Sequence, residues 1–197
     1  MDNYIFAYYQ QIKDGTTVVS KWVRRTYELI IAGIENGVYT FNAKKANNAI
    51  EWIEKHCFHV EGELAPNPLE LQLWQKAMLS CIFGICGEDG RRQFREVLLV
   101  IGRKNGKSLL SAAVMNYIFR QDGGFGTRVY RVAPKLDQAD IVYEGAWAMI
   151  QLDPASNIAN VMVHKAIEAK KYLSLFFIFF VNKIMTNKQI PKTNNSK

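Results

Sequence analysis

Residues 97–108 read VLLVIGRKNGKS, a five-residue apolar run followed by a loop of glycine, asparagine and basic residues. The run Val97–Ile101 is rich in β-branched residues and a glycine ends it, which is typical of a strand buried on both faces of a parallel sheet. The ending Gly106-Lys107-Ser108 matches the phosphate-binding loop, in which backbone N–H groups and a helix N-terminus hold the phosphates of a nucleotide. The segment predicts a phosphate site between a strand and a helix.

Each residue type in this loop suits a chemical task. Gly106 lets the backbone turn tightly beside an anion, where a Cβ would intrude. Lys107 would reach the β- and γ-phosphates, and Ser108 would ligate Mg²⁺. The full pattern has its first glycine at position 101, but this chain has Ile101 there and its glycine one position later, at Gly102. The loop is therefore a variant of the phosphate-binding pattern.

Patterns along the rest of the chain predict an α/β protein. Residues 3–60 have helical periodicity, with Asn42 as the N-cap of a helix over 43–57. Residues 61–68 contain two prolines and one glycine and are expected to be a connector. The elements expected after it are a helix over 69–83, a loop over 87–92, strands over 97–101, 127–133 and 158–163, and helices over 108–120 and 134–152. This order predicts a P-loop NTPase parallel sheet, incomplete at its C-terminal side and preceded by a mostly helical N-terminal region.

Composition limits the class of protein further. The chain has 197 residues, of which 49% are hydrophobic and 22% charged, so a wholly disordered or fibrous protein is excluded. Its longest uninterrupted apolar run has seven residues, whereas a membrane-spanning helix needs about 20, so no membrane partner is expected. No basic region precedes an apolar core at the N-terminus, so no secretory signal is visible. Three cysteines without a CxxC pair favour a reducing, cytosolic setting.

Several segments together resemble the ATPase part of tailed-bacteriophage large terminases, the motors that package DNA into capsids. The variant loop with its leading Arg103-Lys104-Asn105 is the first of them, and Leu71–Gln75 resembles the adenine-recognition segment of that family. Ile82–Gly84 and the stretch Ala133–Ala139 agree in order and spacing. The resemblance covers about residues 4–164. It divides the chain into a helical region, 1–60, the N-terminal part of a P-loop ATPase domain, 61–164, and a non-matching tail, 165–197.

The resemblance implies a role for each matching residue. Gln75 would bond the adenine edge, a task suited to an amide that both donates and accepts. Arg103, or less readily Lys104, would sense or stabilise the γ-phosphate. Alternatively, Arg103 is a solvent-exposed loop residue without a functional role. The resemblance also implies ATP and Mg²⁺ as cofactors, and double-stranded DNA, a small terminase subunit and the portal as partners. The expected location is the cytoplasm of a bacterial host.

The sequence lacks the acidic motif that such a motor needs. An active member needs an apolar strand that ends in Asp-Glu, where Asp helps to hold Mg²⁺ and Glu activates water. No apolar run after Ser108 ends in this pair, and a nuclease half with clustered acids is absent. Residues 172–197 hold four lysines and no acid, which gives this tail +4 of the net charge of +7. We therefore expect a truncated or frameshifted chain that binds nucleotide and hydrolyses it poorly. A membrane-touching or partner-binding tail is the alternative.

Two other function classes stay open from the sequence, a different P-loop enzyme such as a helicase or kinase, and a catalytically inactive partner-binding remnant. Three clusters of residues are weaker candidates for a functional site, and an ordinary structural role also accounts for each of them. His56, Cys57 and His59 could be read as a metal site, but we favour ordinary packing. Asp137, Asp140 and Glu144 could form a carboxylate cluster, but we favour a solvated helix face. Lys21, Arg24 and Arg25 could contact DNA or a partner, but we favour simple exposure to solvent.

Overall fold

The computed structural model describes residues 3–123 and 127–156. Helices make up more than half of these residues, and two short strands accompany them. In chain order the elements are α1 (Tyr4–Lys13), α2 (Lys21–Glu35), β1 (Thr40–Phe41), α3 (Ala43–His56), α4 (Leu73–Gly84), β2 (Ile85–Cys86), α5 (Lys107–Tyr117), a π-helical turn (Ile118–Asp122) and α6 (Leu136–Leu152). Among the described residues, no helix combines the length and the apolarity needed to cross a membrane.

The helical prediction for the N-terminal region is confirmed, and local signals explain the helix ends. Asn42 caps α3, because its side-chain oxygen accepts a hydrogen bond of 3.0 Å from the Lys45 N–H. Ser20 caps α2 in the same way, by accepting from the Val23 N–H. Beyond the end of α2, Gly37 takes a left-handed φ of 71°, which L side chains rarely adopt. The chain can therefore leave the helix there and turn towards β1.

Helix α4 lies between α1 and α3 and carries the centre of the core. Its sequence, LWQKAMLSCIFG, is apolar on several sides, which is typical of a helix surrounded by protein. Leu79 and Phe83 are buried with residues of α3, whereas Ala77 and Cys81 are buried with residues of α1 and α2. At its end, a Cβ on Gly84 would lie 2.7 Å from the Phe41 ring, so only glycine allows this close approach.

Helix α5 packs against α3 and α6, and a buried ion cluster lies where α3 and α6 end. Asp153, directly after α6, is only 4% exposed. Its carboxylate accepts from Arg120 Nη2 at 2.7 Å and from the Ala155 N–H at 3.0 Å, and it lies 3.1 Å from His56 Nδ1. Burial alone would raise the pKa of Asp153, but the bonds from Arg120 and Ala155 and the charges of Arg120 and His56 outweigh it, so the pKa lies below its ordinary value.

The parallel sheet is not formed by the described residues. Residues 97–101 and 127–133 have no regular secondary structure. Val97, Leu98 and Val100 are 39%, 52% and 81% exposed, although a strand in a parallel sheet would be buried on both faces. The physical reason is that a strand obtains its hydrogen bonds from neighbouring strands, and the structure pairs neither segment with one. The third predicted strand, 158–163, and the tail, 165–197, lie outside the described residues.

The sheet that does form is small and antiparallel. Strands β1 and β2 pair Thr40 with Cys86 and Phe41 with Ile85. The predicted start of α4 at residue 69 was also wrong, because the helix begins at Leu73. The backbone donors of Leu69 and Leu71 bind the Cys57 carbonyl and the Glu54 carboxylate, each at 2.9 Å. These bonds hold residues 69–72 in an extended form beside the end of α3.

Candidate functional site

The loop over residues 102–106 contains two left-handed backbone positions. Lys104 has φ +64° and Gly106 has φ +69°, with Asn105 between them. The Asn105 side chain donates a hydrogen bond of 3.2 Å to the Arg103 carbonyl and so fastens the turn internally. A non-glycine residue with positive φ is uncommon and often marks a functional site. Turns that alternate in hand also direct successive N–H groups towards one side, where an anion can bind.

The same loop leads directly into the N-terminus of α5. Gly106 is the N-cap and has no side chain to bind the first N–H groups of the helix. The first turn contains no acidic residue, and Lys107 and Ser108 are its first two residues, both exposed. The helix therefore presents unpaired N–H groups, the positive end of its dipole, a lysine and a hydroxyl. This combination suits a phosphate group.

A cleft of about 270 Å³ lies beside the loop. One wall consists of the loop tip, Lys104 to Gly106, and the other of the extended residues 69–72 together with Trp74 and Gln75 in the first turn of α4. His59, Leu109 and Leu110 complete the lining. The two segments that the sequence analysis assigned to nucleotide binding, which are about 30 residues apart in the chain, thus face each other across one cavity.

Hydrogen bonds fix the glutamine-rich wall of the cleft. Gln75 Oε1 accepts from the Gln72 backbone N–H at 2.7 Å, and Gln72 Oε1 accepts from Trp74 Nε1 at 2.7 Å. The oxygens of both side-chain amides are therefore engaged inside the protein. The amide N–H groups of Gln72 and Gln75 have no protein partner among the described residues and are available to a ligand.

The structure brings half of the predicted site residues into the cleft. Gln75, Lys104, Asn105 and Gly106 line it. The remaining four are exposed in or next to the loop but do not line the cleft, namely Gly102, Arg103, Lys107 and Ser108.

Two other lining residues, His59 and Glu70, had no assigned role in binding nucleotide. Glu70 and Gln72 are exposed while Leu69 and Leu71 are buried, an alternation that the predicted helix over 69–83 did not anticipate. No sequence signal places His59 there, because it reaches the cleft through the pairing of its N–H with the Asn67 carbonyl.

A family model supplies the decisive comparison. The model for the ATPase domain of the terminase large subunit matches residues 73–190, which is more than half of the chain. The chain belongs to this family. The matched range includes α4, the loop and α5, and it continues into the segment after residue 164. The family implies that nucleotide and a divalent metal are used, as the resemblance in the sequence did.

One curated relative of the chain is the large subunit of the terminase of Enterobacteria phage HK97. It is 26% identical over 132 residues, which cover 66% of this chain and 25% of the relative. The chain thus spans about a quarter of the length of the curated relative that it matches. No solved structure matches the chain closely enough to be counted as similar.

The first turn of α5 offers a candidate ligand for a divalent metal. Ser108, in the first turn of α5, carries a hydroxyl that suits Mg²⁺, a metal that is commonly held by few protein groups together with the phosphates of its nucleotide. Within residues 3–123 and 127–156, no group of three or more His, Cys, Asp and Glu side chains could hold a metal. His56, Cys57 and His59 are separated, because His56 pairs with Asp153, Cys57 is buried in the core, and His59 lines the cleft.

The other two clusters from the sequence analysis are partly occupied by contacts within the protein. In the acidic face of α6, Asp140 binds Arg131 at 2.7 Å, whereas Asp137 and Glu144 are exposed. In the basic cluster of α2, Arg24 donates to the Ile12 carbonyl at 3.2 Å, and Arg25 lies 3.5 Å from Glu28.

Proposed function

We propose that the cleft binds ATP together with Mg²⁺. The observation that carries this proposal is the arrangement of the cleft, in which the loop tip faces the Gln72–Gln75 wall. A nucleotide has a charged end and a heteroaromatic end, and the two walls differ in the same way. The loop supplies backbone N–H groups and lysine for the phosphates, and the opposite wall supplies an indole and two amides for the base.

Individual residues receive the following roles in this proposal. Lys107 contacts the β- and γ-phosphates, and Ser108 ligates Mg²⁺. Lys104 lines the cleft and contacts the phosphates directly. The Arg103 side chain is exposed and has no partner among the described residues, so it is free to turn towards the γ-phosphate when nucleotide is bound. Gln75 contributes its amide N–H groups to the base.

In the whole protein, we propose that this site powers the packaging of double-stranded DNA into capsids, with a small terminase subunit and the portal as partners, in the cytoplasm of a bacterial host. The family membership supports this role, and it does not favour a helicase or a small-molecule kinase. We also propose that residues 97–101 form a strand of the parallel sheet of a P-loop fold in the whole protein, where other segments supply the hydrogen bonds that the described residues do not. Slow amide exchange at these five residues would support the strand, and exchange at the rate of an unfolded chain would contradict it.

The experiment for ATP binding compares Lys107→Ala with Lys44→Ala. Both substitutions remove one exposed lysine at the start of a helix, but Lys107 directly follows the loop tip that lines the cleft, whereas Lys44 lies in α3, none of whose residues lines it. Isothermal titration with Mg-ATP is expected to show binding to the wild type and to Lys44→Ala and no measurable binding to Lys107→Ala. An unchanged affinity in Lys107→Ala would reject the proposed site.

A further inference from the structure

One carboxylate oxygen of α3 is bonded to the residues on both sides of the glutamine-rich wall. Glu54 Oε1 accepts a hydrogen bond of 2.9 Å from the Leu71 N–H and lies 3.0 Å from Lys76 Nζ. The polar part of the wall, residues 72–75, lies between these two partners in the chain. This part of the wall is therefore held at both ends by one side chain, although Glu54 itself does not line the cleft.

The carboxylate of Glu54 is partly shielded from water and fixed from a second side. The side chains of Glu54 and Lys76 are 29% and 22% exposed. The Lys76 amine also lies 5.5 Å from the centroid of the Tyr4 ring in α1, which holds the cation in place. A hydrogen bond to an ionised group is stronger than a neutral one, so the bond to the Leu71 N–H is a firm attachment.

The side-chain hydrogen bonds within the wall fix its shape but not its place in the protein. They join Gln72 to Gln75 and to Trp74, so they would move together with the wall. The bond to Glu54 relates the wall to α3 at the residue directly before Gln72. A ligand that contacts both walls of the cleft binds in proportion to the fraction of time in which the walls are correctly spaced.

We propose that Glu54 is a positioning residue for the nucleotide, because the hydrogen bond that it accepts from the Leu71 N–H holds the wall at the distance from the loop tip that ATP spans. This inference rests on the proposed function, since it concerns the same cleft. Glu54 makes no contact with the ligand and acts through the wall. A ligand that contacts only the loop is therefore insensitive to Glu54, whereas ATP, which reaches both walls, depends on it.

The test measures the affinities of Mg-ATP and of Mg-tripolyphosphate, which is a phosphate chain without the nucleoside, by isothermal titration. Glu54→Met removes the acceptor, whereas Glu54→Gln keeps a carbonyl acceptor without the charge. Glu51→Met is the matched control, because Glu51 lies in the same helix, is exposed and does not line the cleft. Melting temperatures without ligand identify the folded variants. Glu54→Asp, one methylene shorter, breaks the same bond and replaces Glu54→Met if that variant does not fold.

We expect Glu54→Met, or Glu54→Asp in its place, to weaken ATP binding about tenfold, the value of one hydrogen bond to a charged group, and to leave tripolyphosphate binding unchanged. Glu54→Gln stays within about threefold of the wild type, since a neutral acceptor keeps part of the bond. Glu51→Met behaves as the wild type. In Glu54→Met the Leu71 amide exchanges faster, while the Leu69 amide, bonded to the Cys57 carbonyl, stays slow.

Four results would overturn the inference. If a folded Glu54→Met or Glu54→Asp variant binds ATP as the wild type does while Lys107→Ala abolishes binding, the site stands and Glu54 serves stability alone. If ATP and tripolyphosphate weaken equally, Glu54 supports the whole cleft and not the spacing of its walls. If Glu54→Gln binds ATP as weakly as Glu54→Met, the charge matters and not the bond to the Leu71 N–H. If the wild type binds no ATP, the proposed function fails and the inference fails with it.

Discussion

Replacing Asp153 by asparagine tests the buried ion cluster that joins the ends of α3, α5 and α6. The side chain keeps its size but loses the charge that pairs with Arg120 at 2.7 Å and faces His56 at 3.1 Å. Arg120 would then keep a guanidinium whose side chain is only 13% exposed and whose Nη1 atom already lacks a hydrogen-bond partner. An uncompensated buried charge is among the costliest defects in a protein.

The expected loss is about 3 kcal/mol, the lower end of the range for breaking a buried pair. The lower end applies because Arg120 retains its contact with the Trp52 ring, 5.1 Å from the ring centroid, which still supports the cation. For a domain of this size, about 3 kcal/mol lowers the melting temperature by roughly 6 to 12 °C.

Urea unfolding followed by tryptophan fluorescence measures this loss. The control is Glu63→Gln, which removes an exposed carboxylate and is expected to change stability by less than about 0.5 kcal/mol. A double-mutant cycle with Arg120→Met isolates the coupling between the two side chains. A loss below about 1 kcal/mol for Asp153→Asn would refute the view that this cluster fastens α6 to the core.

Three further outcomes are expected. The pKa of Asp153 lies below its ordinary value, so the ionised carboxylate stabilises the folded state fully above about pH 4, and this stabilisation is lost as the pH falls through the pKa of the folded state. The difference in free energy of unfolding between the wild type and Asp153→Asn, measured with urea, should therefore be smaller at about pH 3 than at pH 7. Gly84→Ala should cost about 1 to 3 kcal/mol by the same assay, since the new Cβ would meet the Phe41 ring and the Ala46 methyl, and equal stability would contradict the packing. Lys104→Gly removes the strain of a left-handed lysine, so the free protein should gain about 1 kcal/mol while losing affinity for ATP, and a lower melting temperature without ATP would contradict this.

Local signals in the sequence predicted the features that depend on neighbouring residues. Asn42 caps α3 because its oxygen needs only the N–H of a residue three positions later. The helix after the loop begins within one residue of its predicted start at Ser108, since glycine followed by a helix-forming run is sufficient to place it.

Features that depend on distant residues were not predictable in this way. Residues 97–101 have the composition of a strand, yet a strand exists only where another segment supplies its hydrogen bonds. Residues 69–72 were assigned to a helix, and contacts with Cys57 and Glu54, more than ten positions earlier, hold them extended instead. The same contacts bring Glu70 among the residues that line the cleft, so its place in the candidate site followed from tertiary structure.

Photoaffinity labelling with 8-azido-ATP tests most directly whether the two walls form one nucleotide site. The reactive azide sits on the base, so its attachment maps the base wall and not the phosphate loop. The proposed site predicts that the label is found on residues 69–75, that excess ATP prevents it, and that Lys107→Ala loses it although Lys107 lies in the opposite segment. Labelling outside residues 69–75, or labelling that persists in Lys107→Ala, would contradict the proposal that this cleft binds ATP.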